Sequence, residues 1–146
     1  MLSEPAPATF DLTQEPWLPV QRCDGGEEEL SLLDVFAQAQ NVRRLVGDVP
    51  TQEFALLRLL LAILHDAIDG PADITDWQEL WDSGLPIDRI FSYLDQHRER
   101  FDLLHPSQPF YQTAELRTAK GEVNTLDRIV ADVPNGLPFF TMPGRG

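Results

Sequence analysis

The chain has 146 residues, of which 42% are hydrophobic, and this is enough apolar material for the core of one ordinary domain. Its formal net charge is −13; residues 1–100 carry 7 Lys or Arg against 19 Asp or Glu and should repel nucleic-acid phosphates, whereas residues 101–146 carry 4 against 5. The single cysteine, Cys23, excludes an intrachain disulfide and indicates a reducing compartment, for which we expect the cytoplasm.

The first predicted element is a β-hairpin that follows a disordered tail. Residues 1–9 are rich in proline and small residues, and they have neither the basic start nor the apolar run of an export signal. Strands are predicted at 17–23 and 27–31, because the Asp-Gly-Gly between them supplies the positive φ of a tight turn. Pro19 has no N–H to donate, which predicts that the first strand lies at an edge of the sheet.

Three of the four predicted helices have clear end signals. Ser31 and Asp34 have the spacing of a capping box, which predicts a short helix after them. A third helix is predicted at 73–83, where Gly84 stops it. A fourth helix is predicted from near Pro86, since proline is tolerated in the first turn.

The second helix is predicted to begin at a Thr51 cap and to run to about residue 68. It is apolar nearly all round, apart from a thin polar seam of Thr51, Arg58 and His65 spaced seven residues apart. We therefore expect it in the middle of the domain. Its most apolar stretch, 54–64, has 11 residues and includes Arg58, whereas a bilayer crossing needs about 20 apolar residues, so no membrane contact is predicted.

The last third of the chain is predicted to be less regular. Residues 105–112 contain two prolines and two aromatic residues and should form an ordered loop. A turn is predicted at Lys120-Gly121, a short helix at 125–131, and an irregular end after it. The fold class predicted from all these elements is α+β, mainly helical, with an N-terminal β-hairpin, a small sheet and an irregular C-terminal loop.

Three histidines and one cysteine raise the question of a metal or catalytic site. His65, His97 and His105 show no H-x-x-x-H spacing and there is no C-x-x-C, so neither a metal nor a cofactor is predicted. His65 and Asp66 are neighbours on a helix and cannot face each other, so His65 is interpreted as a core or seam residue. No nucleophile or phosphate-binding motif occurs, and we predict no enzyme; a hydrolase based on His65 or His105 is one alternative.

The final residues, VPNGLPFFTMPGRG, place two adjacent aromatic side chains among prolines and glycines. Phe139 and Phe140, flanked by Arg145, could stack on unpaired bases or fill a pocket on a partner. They could instead pack onto the core of their own domain, and composition alone favours this second interpretation.

Four blocks of sequence in the same order resemble a known family. They are EPWLPV at 15–20 beside the DGG turn, PTQEFALLRLLLAILH at 50–65, FDLLHPSQPFYQ at 101–112 and VADVPNGLPFFT at 130–141. Together they resemble the N-terminal part of the CasA family, the large subunit of the type I-E CRISPR surveillance complex called Cascade. The likeness covers nearly all of the chain from Phe10 onward.

The resemblance implies a non-catalytic subunit. It implies that the protein helps to contact the 5′ handle of the guide CRISPR RNA, to recognise the motif beside the target in double-stranded DNA, and to recruit the CRISPR helicase-nuclease. Other Cascade subunits are further implied partners. Within the family's handle-contacting loop, Phe139 matches an aromatic residue, Phe140 and Thr141 fall where the contacts are made, and Arg145 follows. This reverses the interpretation of the two phenylalanines as core residues.

The resemblance also implies that the chain is truncated. Residues 10–146 are expected to be the N-terminal part of the large-subunit domain, without the C-terminal helical bundle or the segments that engage target DNA. The expected role of this part is chiefly scaffold plus the handle-contacting loop. The alternative suggested by its charge is a stand-alone acidic module that binds other proteins.

Overall fold

The structure, a computed structural model, describes residues 8–114 and 117–123. The helix predicted at 125–131 and most of the predicted tail lie outside these residues. The chain divides into two units, 1–112 and 113–146, and the regular elements described belong to the first. They are β1 (Leu18–Arg22), β2 (Glu27–Leu30), α1 (Leu32–Ala37), β3 (Val42–Leu45), α2 (Pro50–Ile68), α3 (Ile74–Ser83) and α4 (Ile87–Gln96), with 3-10 turns at Ala39–Asn41 and Arg98–Phe101. The predicted α+β class is confirmed.

The three strands form an antiparallel sheet in the order β2-β1-β3. β1 and β2 are the predicted hairpin, in which Leu18 pairs with Leu30 and the turn contains Gly25 with a φ of 93°. A positive φ of this kind favours glycine, since a Cβ would clash with the backbone. Side chains alternate along β1, so that Leu18 and Val20 both point inward and are fully buried.

The edge position that Pro19 predicted for β1 is wrong, because β3 pairs with the other side of β1 and makes it the central strand. In an antiparallel ladder, the nitrogen and the carbonyl of one residue face the same neighbouring strand. The Pro19 carbonyl accepts a hydrogen bond of 2.8 Å from the N–H of Val46, which lies just beyond the end of β3. The N–H that Pro19 lacks would therefore face the end of β3. Its absence does not interrupt the hydrogen bonds between β1 and β3.

β3 is the strand that the sequence pattern does not predict. It has four residues, and the two central ones, Arg43 and Arg44, are exposed, so the apolar alternation of a half-buried strand is missing. Gln21 pairs with Arg44 and Arg22 with Val42, which leaves Arg43 as the extra residue of a β-bulge. The strand forms because β1 offers it a row of backbone partners, a long-range effect.

Local signals place the ends of three helices correctly. The capping box before α1 is present: the Asp34 N–H donates to the Ser31 hydroxyl at 3.1 Å, and the Ser31 N–H donates to the Asp34 carboxylate at 3.3 Å. α3 is capped by Asp73 and ends at Gly84, which has a φ of 83°. α4 begins directly after Pro86. These predictions are confirmed.

The Thr51 cap predicted for α2 is wrong. The helix already begins at Pro50, and its cap residue is Val49, whose side chain makes no capping hydrogen bond. Proline suits the first helical position, because its φ is fixed near the helical value and the N–H that it lacks would have no partner there. The approach to the helix is held instead by Glu53, whose carboxylate accepts the N–H of Gly47 at 3.2 Å.

The core lies between the buried face of the sheet and helices α1, α2 and α4. Ile90 and Leu94, one turn apart on α4, are fully buried together with Leu18 and Val20 of β1. Burying a side chain of this size stabilises the fold by about 1.5–3 kcal/mol. Among the described residues, no helix combines the length and the apolar composition that a membrane crossing requires.

Residues 10–13 run between two distant parts of the chain and bond to both; we call this segment the N-terminal clasp. The Leu12 N–H donates to the Phe101 carbonyl at 3.0 Å, and the Leu12 carbonyl accepts the Leu32 N–H at 3.2 Å. The Phe10 N–H donates to the Asp102 carboxylate at 2.9 Å. The clasp therefore joins the beginning of α1 to the segment that follows α4.

Asp11 is the charged residue of the clasp. Its carboxylate accepts hydrogen bonds from the Thr13 N–H at 2.9 Å, the Thr13 hydroxyl at 2.6 Å and the Arg98 Nε at 2.5 Å. Burial by itself would raise the pKa of Asp11, but the bonds from Thr13 and Arg98 outweigh it and lower the pKa below its ordinary value of 3.8. The clasp is therefore held in part by an ionised carboxylate.

The predicted turn at Lys120-Gly121 is confirmed in the second unit. Gly121 has a φ of 78°, and the Thr118 N–H donates to the Glu122 carbonyl at 2.9 Å. In the first unit, residues 105–112 contain neither helix nor strand, as predicted for a loop.

Replacing Asp11 by Asn is expected to destabilise the fold by about 1–3 kcal/mol at pH 7, because it removes the charge from an acceptor of three hydrogen bonds. Since the folded-state pKa of Asp11 lies below 3.8, its stabilisation is present above that pH and is lost as the pH falls through the folded-state pKa. Urea unfolding at pH 7 and at pH 3 measures both effects. The gap between the wild type and the variant should shrink at pH 3.

The exposed Asp95 on α4 provides the control, and its replacement by Asn should change stability by less than about 0.5 kcal/mol. A gap for the Asp11 variant that is the same at both pH values would contradict the assignment of a lowered pKa to this group.

Candidate protein-interaction surface

α2 presents an apolar face to solvent, which corrects the prediction that it lies in the middle of the domain. Phe54, Leu57 and Leu61 are 63%, 48% and 36% exposed, and their spacing of three and four residues places them on one side of the helix. We call these three residues the α2 stripe. The fully buried residues of α2 are Ile63 and Leu64. A helix that is apolar all round needs protein on every side, and the described elements cover one side.

The polar seam predicted for α2 is present, but it lies on the surface. Thr51, Arg58 and His65 are all exposed, on the same side of the helix as the stripe. The guanidinium carbon of Arg58 is 5.9 Å from the centre of the Phe54 ring, which is a cation–π distance. The His65 ring meets Trp77 of α3 edge to face, with 5.9 Å between the ring centres. His65 is therefore a seam residue and not a core residue.

An apolar groove of about 270 Å³ adjoins the α2 stripe, between α2, α1 and β3. It shares Leu57 and Leu61 with the stripe, and its other walls come from α1, β3 and Leu85. Arg44 is the one charged residue in the part of the wall that the structure describes. A groove with such a lining suits the apolar side chains of another protein segment and provides no acid, base or nucleophile for catalysis.

His65 and Asp66 contact different partners, as their adjacency on the helix predicts. Asp66 lines the same cavity as Tyr93 of α4, whose ring centre is 4.6 Å from that of His97. Burial, followed by the neighbouring Asp66 carboxylate, raises the pKa of Tyr93 to about 12. The Tyr93 hydroxyl therefore stays protonated at neutral pH.

The other residues considered for metal binding or catalysis make structural contacts. The Nδ1 of His105 accepts the N–H of Gln108 at 3.0 Å, which stabilises a turn. Cys23 is exposed, and its Sγ lies 3.8 Å from the Gln40 carbonyl oxygen. Among the residues that the structure describes, no three His, Cys, Asp or Glu side chains are grouped as a metal ion would require.

The residues predicted for the nucleic-acid or partner loop, Phe139, Phe140, Thr141 and Arg145, lie outside the described residues. Their role stays a prediction from the sequence. The described surface instead contains the α2 stripe, which the sequence pattern assigned to the core. The lengths of the helices could have indicated this exposure. α2 has 19 residues, whereas α3 and α4 have 10 each and are too short to cover α2 along its whole length.

An α+β domain whose longest helix exposes apolar side chains is typical of proteins that work in contact with other protein surfaces. The family model of the CRISPR-associated protein Cse1 matches residues 11–146, and the chain belongs to this family. A relative described as CasA/Cse1 shows that this is the family that the four sequence blocks resemble, so that resemblance is confirmed.

Three relatives illustrate the similarity. The CRISPR-associated protein CasA/Cse1 of Thermus thermophilus is 40% identical over 110 residues, which are 73% of this chain and 21% of that protein. The crystal structure of Thermobifida fusca Cse1 is 65% identical with a TM-score of 0.81, over 97% of this chain and 27% of that one. A chain of a CRISPR RNA-guided surveillance complex is 28% identical with a TM-score of 0.61, over 75% and 24%. The chain thus spans little more than a quarter of these relatives at most.

The α2 stripe is expected to add little to the stability of this chain. Replacing Phe54 and Leu57 together by Gln should change the free energy of unfolding by less than about 1 kcal/mol, since both side chains are already about half exposed or more. Ile63→Ala, in the same helix, empties a buried position and should cost about 2–4 kcal/mol. Urea unfolding compares the two variants; a loss above about 2 kcal/mol for the double variant would mean that the stripe is already covered.

Proposed function

We propose that this chain is the N-terminal part of the large subunit of a CRISPR RNA-guided surveillance complex, where it acts as a non-catalytic scaffold. Its family membership and its similarity to a chain of such a complex support this proposal. The observation that carries it is the α2 stripe with its adjoining groove. Exposed apolar surface of this kind marks a place where other protein packs.

The distribution of charge favours protein neighbours for the first hundred residues. They carry 7 basic against 19 acidic residues, and three consecutive acids, Glu27, Glu28 and Glu29, are exposed on β2. Binding to a phosphate backbone requires cations that displace condensed counterions, and on this surface acids outnumber the cations. Residues 101–146, with 4 basic against 5 acidic residues, carry no such penalty. In this proposal, contact with nucleic acid therefore belongs to the C-terminal part.

The proposed contact with the guide CRISPR RNA is made by the aromatic loop. Phe139 and Phe140 stack on unpaired bases of the 5′ handle, because every base offers a π face to an aromatic ring. Arg145 adds a cation for phosphate, and Thr141 adds a hydroxyl for hydrogen bonding. Support for this assignment comes from the sequence of the loop and from the resemblance of its residues to the family's handle-contacting loop.

The complete subunit is proposed to do more than this chain does alone. With the other Cascade subunits, it recognises the motif beside the target in double-stranded DNA and recruits the CRISPR helicase-nuclease. In this arrangement, base pairing with the guide RNA recognises the target sequence, and protein recognises only the short flanking motif. We place the protein in the cytoplasm, in keeping with Cys23, which is exposed and forms no disulfide.

Assembly tests the scaffold role. The protein that contains this chain is mixed with the other complex subunits and guide RNA, and its incorporation is measured by size-exclusion chromatography. Leu57→Asp with Leu61→Asp is expected to reduce incorporation at least about tenfold, because an interface would have to bury two charges against apolar side chains. Gln52→Asp with Ala55→Asp adds the same charge to α2 outside the stripe and should incorporate normally, with thermal melting as the check on folding.

Two results would contradict the proposal. Normal incorporation of the Leu57 and Leu61 variant would show that the stripe is not the contact surface. A wild-type protein that does not enter the complex would instead favour the stand-alone acidic module.

The loop is tested separately with Phe139→Ala and Phe140→Ala in the same protein. Gel-shift titration against a complex that lacks its large subunit should show affinity at least about tenfold weaker, since base stacking contributes about 1–3 kcal/mol per ring. The loss should be seen with the native RNA handle and not with a scrambled handle. A large fall in melting temperature with unchanged affinity would mean that the two rings pack in the core.

A further inference from the structure

α3 has an apolar face that its own domain contacts mainly through Trp77. None of its residues is fully buried, and Ile74, Trp77 and Trp81 are 81%, 38% and 88% exposed. Positions 74, 77 and 81 are three and four residues apart, so these side chains lie on one side of the helix. We call them the tryptophan face. Tryptophan is rarely left this open in a folded protein, and it is enriched where proteins bind one another.

Hydrogen bonds of side chains with the backbone stabilise the N-terminal end of α3. The Asp73 carboxylate accepts the N–H groups of Thr75 at 2.8 Å and Asp76 at 3.1 Å, and Asp76 in turn accepts the Ala72 N–H at 2.9 Å. A helix of ten residues is marginal in water without tertiary packing. Trp77 supplies part of that packing through its contact with His65, whereas Ile74 and Trp81 add little and are available to a partner.

The segment that contains this face is acidic. Residues 69–88 contain six acidic residues and no Lys, Arg or His: Asp69, Asp73, Asp76, Glu79, Asp82 and Asp88. The nearest cation along the chain is Arg89, which lines a cavity with Asp76 and Glu79 on the other side of α3. Including Arg89, residues 69–89 have a net charge of −5, from six acids and one base. A partner of opposite charge is attracted to such a surface, and a phosphate-rich one is repelled.

We propose that the tryptophan face binds a cationic amphipathic helix of a partner protein. Apolar residues of that helix pack against Ile74 and Trp81, and its Lys or Arg side chains lie over the tryptophan rings and beside Asp82. The acids argue against nucleic acid or an anionic membrane as the occupant. The inference does not depend on a place in the surveillance complex, because it rests on α3 alone.

A defined peptide pair tests the chemistry. An 18-residue helical peptide of leucine and lysine is titrated into this chain at 150 mM salt, and tryptophan fluorescence is followed; its partner peptide has glutamate in place of lysine. The lysine peptide should shift the emission to shorter wavelength, and the glutamate peptide should not. Trp81→Gln should weaken binding at least about tenfold with little change in melting temperature, since the side chain is 88% exposed.

A charge-matched control separates specific binding from general attraction to an acidic protein. Asp73→Asn with Asp82→Asn removes the two charges next to Ile74 and Trp81, and asparagine keeps the helix cap at position 73, so this variant should weaken binding of the lysine peptide about fivefold or more. Glu27→Gln with Glu29→Gln removes two charges from β2 and should leave the affinity within about twofold. Equal effects of the two pairs, or equal affinity for the two peptides, would overturn the proposal.

Photo-cross-linking identifies the natural occupant. The protein with Trp81→p-benzoylphenylalanine is expressed in its host cell, and the cross-linked fragment is sequenced by mass spectrometry. A lysine- or arginine-rich amphipathic helix of another protein is the expected product. Cross-links to nucleic acid, to a second copy of this chain, or to a distant segment of the same chain would each overturn the proposal.

Discussion

The fold depends on the N-terminal clasp. Phe10 bonds to Asp102, which is 92 positions later, and Leu12 bonds both to Phe101 and to the beginning of α1. Closing so long a loop costs chain entropy, and buried backbone groups at the junction must all find partners. The clasp satisfies both requirements, because its backbone groups pair on two sides and the Asp11 carboxylate adds charge-assisted bonds. With the clasp in place, the sheet and α4 enclose the same core.

Features set by neighbouring residues were predictable from the sequence, and features set by distant contacts were not. The hairpin turn, the Ser31 capping box and the ends of α3 each follow from two to four adjacent residues. The strand at Val42–Leu45, which pairs with residues about twenty positions earlier, gives no local signal. For the same reason, the apolar pattern of α2 shows that the helix needs partners but not where they come from. The candidate surface was therefore visible in the sequence as apolar residues, and its exposure required the structure.

The exposed surfaces of this domain combine two properties that seldom occur together in a protein that acts alone. α2 and α3 leave large apolar side chains in water, while β2 and residues 69–89 are strongly acidic. His65 joins the two apolar regions through its contact with Trp77, so a partner on α2 and a partner on α3 would be close neighbours. In such a domain, the net charge maintains solubility. A few exposed aromatic and aliphatic side chains provide the energy for binding a partner.

The bulge at Arg43 can also be considered together with the charges on the two outer strands of the sheet. One edge, β2, carries Glu27, Glu28 and Glu29, and the other, β3, carries Arg43 and Arg44. Opposite charges on opposite edges favour head-to-tail association of several copies of the sheet. Association of this kind can continue without closing into a ring. The bulge breaks the regular row of donors and acceptors that an added strand would need. A strand of four residues with a bulge and two exposed arginines is therefore a poor template for a further strand.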